Sequence, residues 1–325
     1  AVAGSNGRVI QVTTTMKILV TGAHGLLGQH LLRVDREGVE LVGSGRSSEP
    51  VGSASYRSVQ LDDPASVARL MDEVQPQWVI HTAAITNVDR CQTEREEARR
   101  VNLGLVEILV SCCKAADIGL VQLSTDYVFS GDDGPYSEDA EPRPLSYYGQ
   151  LKLESERQVL QSGIRGIVMR TLWLYGYLPG TRPNLVTWPL AALHRREALR
   201  IVDDQWGNPT FVVDLADALI DLCRGDGAGL FHMGGSDFMT RHKMVEGLGA
   251  FFGLDTASVE RIETTEAGQS APRPRRSGLN SDRLIATLGR RPLTLEQGLT
   301  RMSKDEHFRR DFDYLFTQTD PRKRP

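Results

Sequence analysis

The strongest constraint on the fold lies in Met16-Lys17-Ile18-Leu19-Val20-Thr21-Gly22-Ala23-His24-Gly25-Leu26-Leu27-Gly28. A short aliphatic run passes directly into three glycines spaced GxxGxxG, and a helical pattern follows. Each glycine answers a separate steric need: a tight turn, close approach of backbone to a pyrophosphate, and close contact of helix with sheet. A helix opening there directs its free N–H groups and the positive end of its dipole at bound phosphate. The motif predicts the first strand, turn and helix of a dinucleotide-binding fold. Gly22, Gly25, Leu26, Leu27 and Gly28 would then lie against the cofactor.

The rest of the chain supports that beginning. Short β-branched runs at Ile18–Thr21, Val39–Gly43, Tyr56–Gln60, Trp78–Thr82, Leu120–Ser124 and Gly166–Arg170 alternate with helical spacing, as in Ser66–Val74 and Val101–Ala116. Such alternation predicts an α/β fold: a Rossmann-like, doubly wound parallel sheet with ligand beyond the carboxyl ends of its strands. From Tyr177 onward, Pro179-Gly180, Pro183 and Pro189 interrupt the rhythm. A length of 325 residues allows two domains at about 150 residues each. The expected division is a nucleotide-binding domain over 16–176, to which 208–228 returns. A smaller, discontinuous α/β substrate lobe takes 177–207 and 229–310, with Gly229–Met233 as a strand. Residues 1–15 read as a leader or appended extension. Residues 311–325 read as a C-terminal tail whose basic end is a frayed terminus.

Residues after the second and third strands bear on cofactor choice. An NAD site places an acid at the end of the second strand to bond the ribose 2′-hydroxyl. Here Val42-Gly43-Ser44-Gly45-Arg46-Ser47 has no acid there. Arg46 would instead bind a 2′-phosphate through paired hydrogen bonds; otherwise it is a solvated loop arginine. NADP(H) is therefore favoured, with NAD(H) as second donor. Asp62 would accept from the adenine amino group, or cap the helix beginning near Pro64. Ala83 and Ala84, small residues after the fourth strand, let the chain pass close beneath the cofactor, and His81 reads as a packed strand residue.

The chemistry is carried by Tyr148-Gly149-Gln150-Leu151-Lys152, a YxxxK whose ends share one helix face. A nearby ammonium favours the phenolate, which would lower the tyrosine pKa and make it usable in proton transfer. Upstream, Ser124-Thr125-Asp126-Tyr127 ends the fifth strand and offers the Thr125 hydroxyl to a carbonyl. Glycine loop, strand-end hydroxyl and YxxxK in that order are far more specific than any one of them.

Composition excludes other classes. With 38 Lys+Arg against 42 Asp+Glu, there is no charge footprint for a nucleic-acid polymer or a membrane surface. No run approaches the roughly 18 apolar residues of a membrane span. Cys91, Cys112, Cys113 and Cys223 form no CxxC and no framework, which fits a reducing, cytoplasmic compartment. No acidic cluster suggests a metal site.

These motifs resemble the extended short-chain dehydrogenase/reductase superfamily and, within it, the dTDP-4-dehydrorhamnose reductases. The likeness runs through Ala83–Asp89, Val101-Asn102, Ser124–Phe129, Tyr148–Lys152 and Arg170–Gly176. It continues in Asp204-Gln205-Trp206-Gly207-Asn208-Pro209-Thr210 and Arg273–Ser277. It implies reduction of the C4 keto group of a dTDP-4-keto-6-deoxy sugar, a nucleotide-sugar substrate. By that resemblance Tyr148 protonates the new alkoxide, Lys152 holds the nicotinamide ribose, Thr125 orients the carbonyl, and Asn102 supports the cofactor site or its helix. Val88, Asp126, Tyr127, Trp173, Asn184 and Arg273 would lie near sugar or nucleotide, although Trp173 equally fits core packing. Homodimers are common in the superfamily. Departures are Ile85 for a usual Tyr, Leu172 for Ser, a large Trp206, and extra prolines after Gly176. A dehydratase would need an acidic pair after the threonine, and here Tyr127 follows Asp126. A sugar-nucleotide epimerase, or a non-catalytic subunit resembling methionine adenosyltransferase β, are the alternatives.

Overall fold

The computed structural model describes residues 15–317. The leader up to residue 14 and the basic end from 318 lie outside the described residues. Seven strands form one parallel sheet: β1 (Met16–Thr21), β2 (Val39–Gly45), β3 (Ser55–Ser58), β4 (Trp78–His81), β5 (Gly119–Thr125), β6 (Gly166–Thr171) and β7 (Gly229–Met233). Their order across the sheet is β7-β6-β5-β4-β1-β2-β3. Order reverses beside β1, so the crevice for a dinucleotide opens at the β1–β4 junction.

Strand periodicity explains how both faces are filled. Side chains alternate at each residue, so Ile18 and Val20 enter one core while Leu19 enters the other. The first core is closed by the Val212–Arg224 helix, through Leu215, Leu219 and Leu222. Across the sheet, the Pro64–Val74 and Leu105–Ala116 helices supply Val67, Leu70 and Leu109. Burial on both faces is why these strands read as continuous apolar runs. Near Asn102 the expected Val101–Ala116 helix is interrupted. Arg100–Gly104 forms a π-turn, and the regular helix begins at Leu105.

Three expectations need correction. The span from residue 311, expected as a tail, is part of the fold as far as it is described: Tyr314–Thr317 is helical, and Phe312 and Leu315 are buried in the core around Tyr175, because their apolar side chains pack there. Tyr56–Gln60 is shorter and earlier, as Ser55–Ser58, because β3 is an edge strand paired only with β2. Gly229–Met233, expected in the substrate lobe, is the sheet's other edge strand and pairs with β6. Phe231 and Met233 pack into the first core, and Leu284 from the Asp282–Leu288 helix joins them there.

The remaining elements form a smaller unit around Tyr175, Leu190, Phe211, Leu248, Leu299 and Phe308. In it Leu199–Val202 pairs in parallel with Val259–Ile262, and Arg241–Phe252 is the longest helix. Loop contacts bring this unit over the sheet's carboxyl edge. Trp206 N donates to Arg275 O (2.6 Å), and Tyr136 bridges Leu279. The segment Arg273–Ser277 is thereby laid beside the end of β5.

Candidate active site

The glycine loop is shaped as its spacing requires. Gly22 has φ +76°, and a Cβ there would lie 2.6 Å from Ala83 N. A Cβ on Gly28 would lie 2.4 Å from Gly22 O, whereas one on Gly25 would meet only Gly22 O at 3.3 Å. Gly22 and Gly28 therefore pack backbone on backbone, and Gly25 turns outward where a phosphate could approach. Leu26 and Leu27 open the Leu26–Leu31 helix directly behind it. These residues fit a dinucleotide.

Arg46 stands exposed just beyond β2. The loop behind it is tied down twice: Tyr56 Oη donates to Ser47 O (2.9 Å), and His24 Nε2 lies 3.0 Å from Glu49 O. Ala83 and Ala84 follow β4, and the Ala83 backbone lies against Gly22. His81 is buried against Thr21 Oγ1 (2.6 Å); burial and the nearby Lys152 charge press its pKa down to about 3. It is a packed, neutral strand residue. Asp62 does not cap the helix; Asp63 does, accepting from Ala65 N and Ser66 N. Asp62 instead accepts from Arg100 Nη1 at 2.7 Å, so an adenine contact would have to displace that pair. Both polar ends of the Asn102 side chain are taken up by the backbone of the chain itself. Its Oδ1 accepts from Ile85 N (2.9 Å) and its Nδ2 donates to Ile85 O (3.0 Å), which pins the loop after β4.

Tyr148 and Lys152 ride on the Tyr147–Leu160 helix, whose start Ser146 caps by accepting from Gly149 N. The residue after Tyr148 must be small, since a Cβ on Gly149 would lie 2.2 Å from Tyr127 O. That contact presses the helix against the end of β5 and brings Tyr148 beside Thr125. Both ends of the YxxxK are buried. Burial, then Asp126, Cys91 and Tyr127, push the Tyr148 phenol well above its ordinary range, with the Thr125 hydroxyl pulling the other way. Burial lowers the Lys152 ammonium to about 8, opposed by Glu156 and Cys91. The expected lowering of the tyrosine pKa is therefore reversed. Lys152 sits by Glu156, and desolvation of the phenolate dominates.

The family model described as the RmlD substrate binding domain matches residues 16–308. The chain belongs to that family. It is 35% identical to a dTDP-4-dehydrorhamnose reductase of Streptomyces griseus, over 85% of this chain and 88% of that one. It is 31% identical to methionine adenosyltransferase 2 subunit beta of Xenopus tropicalis, over 82% and 81%. The crystal structure of the Bacillus anthracis dTDP-4-dehydrorhamnose reductase in complex with NADP superposes with a TM-score of 0.80 at 26% identity. It covers 89% of this chain and 98% of that one.

Within this RmlD-type framework the expected substrate residues divide. Val88, Tyr127 and Tyr148 share one apolar cluster, with the Tyr127 and Tyr148 rings edge to face at 5.8 Å. Asp126 is buried and accepts from Thr125 Oγ1 (3.0 Å) and the Ser277 hydroxyl; burial nonetheless raises it to about 6. Trp173 is half-buried at φ +46°, wedged against Gly207, where a Cβ would touch the indole at 2.8 Å. Asn184 is bonded within its own loop: Nδ2 donates to Gly176 O (2.7 Å), and Oδ1 accepts from Val186 N and Thr187 N. Arg273 is bound to Asp89 at 2.7 Å, with its guanidinium 6.0 Å from the Tyr127 ring. Two residues escaped sequence reasoning. Ser277 lies inside a matching motif and could have been found there. Arg241, whose guanidinium lies 5.0 Å over the Trp173 ring, opens a helix after a capping threonine and has no local signature.

Proposed function

We propose that this protein reduces the C4 keto group of a dTDP-4-keto-6-deoxy sugar with NADPH, converting dTDP-4-dehydrorhamnose to dTDP-L-rhamnose. The observation that carries the reading is the buried Tyr148 phenol set beside Thr125 at the end of β5, in a sheet whose first strand ends in a glycine turn shaped for a dinucleotide. When bound, the nicotinamide supplies the hydride. Reduction leaves an alkoxide that needs a proton, and a phenol held protonated by burial is suited to donate one. Lys152, charged below about pH 8 and one turn along the same helix, donates to the nicotinamide ribose. Thr125 has one hydroxyl proton, which it donates to Asp126 Oδ1 here and turns to the substrate oxygen when the carbonyl binds. NADPH preference is supported by Arg46 and the absence of an acid at the end of β2. Four free thiols support a reducing, cytoplasmic setting; among the described residues no helix is long and apolar enough to cross a membrane.

The test is oxidation of NADPH with dTDP-4-keto-6-deoxy-L-mannose made in situ. Tyr148→Phe should lose about 10²–10⁴-fold in rate while still binding NADPH. Wild-type protein that binds NADPH without turnover would refute the reading and favour a partner role, as in the methionine adenosyltransferase relative. Conversion with no net NADPH loss would indicate an epimerase. An unchanged Tyr148→Phe rate would refute the proton donor.

A further inference from the structure

Two arginines act on the Tyr127 side of the site, and their surroundings differ. Arg273 is already neutralised. Nη2 donates to Asp89 Oδ2 (2.7 Å) and Nη1 to Ala271 O (2.8 Å), while Asp89 also accepts from Ser270 Oγ and Ala271 N. Arg241 has no such arrangement. Its Nε is buried without a hydrogen-bond partner, and no carboxylate among the described residues lies within ion-pairing distance of it. Asp126, the carboxylate whose charge acts on it, is occupied by Ser277 and Thr125. The guanidinium rests on the Trp173 ring, against which Gly207 also packs. Arg241 is half-buried, and its shielded, unpaired Nε leaves a donor unsatisfied unless an anion completes it.

Position says which anion. Arg241 borders the catalytic end of the site through Tyr127 and Trp173, and it also lines a cavity of about 300 Å³ with Leu185, Trp188, Val202 and Gln269. A sugar nucleotide has its one strongly anionic group between sugar and nucleoside. We propose that Arg241, rather than Arg273, binds the substrate diphosphate, with the sugar toward Tyr148 and the nucleoside in that cavity. This inference rests on the nucleotide-sugar reading above. A planar guanidinium offers phosphate two parallel hydrogen bonds, which a lysine ammonium does not.

Calorimetric affinities of dTDP, thymidine and NADPH for the full chain test it. Arg241→Met should weaken dTDP about 10- to 100-fold, the scale of charge-assisted hydrogen bonds, and leave thymidine and NADPH within about twofold. Arg241→Lys should keep part of the dTDP affinity. Should the methionine variant not fold, the lysine variant still carries the test, through a smaller loss of dTDP relative to thymidine. Wild-type dTDP affinity in Arg241→Met, or equal loss of dTDP and thymidine, would overturn the assignment to Arg241 alone. A wild-type protein that binds no dTDP at all would overturn the nucleotide-sugar reading as well.

Discussion

Glu156 lies one turn beyond Lys152 on the catalytic helix, and its carboxylate joins that helix to two strands. Oε1 accepts from Arg170 Nε (2.8 Å) and from the Ser124 hydroxyl, and Oε2 accepts from Arg170 Nη2 (2.6 Å). Ser124 belongs to β5 and Arg170 to β6, and both members of the ion pair are at most 3% exposed. On its other side, Arg170 Nη1 faces His232 Nε2 at 3.2 Å. Burial and the Arg170 charge hold that histidine's pKa near 3, so it is neutral and cannot replace the carboxylate. Glu156→Ala therefore leaves a buried guanidinium without its anion, a loss of about 3–5 kcal/mol. With an unfolding entropy of roughly 2.1 cal/mol/K per residue over about 300 residues, Tm should fall by about 5–8 °C. The check is thermal and urea unfolding of Glu156→Ala, Arg170→Met and the paired replacement Glu156→Leu/Arg170→Met. The double variant should recover much of the single loss, because apolar side chains need no counter-charge. A single-variant loss below about 1 kcal/mol, or strict additivity of the two, would refute the reasoning.

Other outcomes follow from the same contacts. Lys152 titrates near 8, below the ordinary lysine value, so its ammonium is lost as pH rises through 8. Hence kcat/KM for NADPH, which reports the free enzyme, should fall about tenfold per pH unit above that point; a profile flat to about pH 9.5 would contradict it. Glu156 raises Lys152, so Glu156→Gln should move the fall to lower pH. Arg46→Ala should raise KM for NADPH by about tenfold or more and leave KM for NADH little changed, as charge-assisted bonds to a 2′-phosphate predict. Gly28→Ala places a methyl against Gly22 O and Ala23 Cα, both backbone. Fluorescence titration should show NADPH binding weakened at least tenfold, by about 1.4 kcal/mol or more.

Much of the fold was legible because it rests on neighbours in sequence. Alternation placed Ile18 and Leu19 in opposite cores, and glycine spacing dictated the turn after β1. The spacing of Tyr148 and Lys152 put both on one face of a helix.

Residue pattern alone thus determined the parallel sheet, the glycine turn and the placing of Tyr148 and Lys152 on one helix. Only the tertiary structure decided which charges meet. Arg273 is taken up by Asp89, Asn184 by the Gly176 carbonyl, and Asn102 by Ile85, in pairings that no local period encodes. It also decided the edge position of β7 and the rise of the Tyr148 pKa, because strand order and burial arise only when distant segments pack. Periodicity is written in adjacent residues, whereas the neighbours that neutralise a charge or strip its water come from anywhere in the chain.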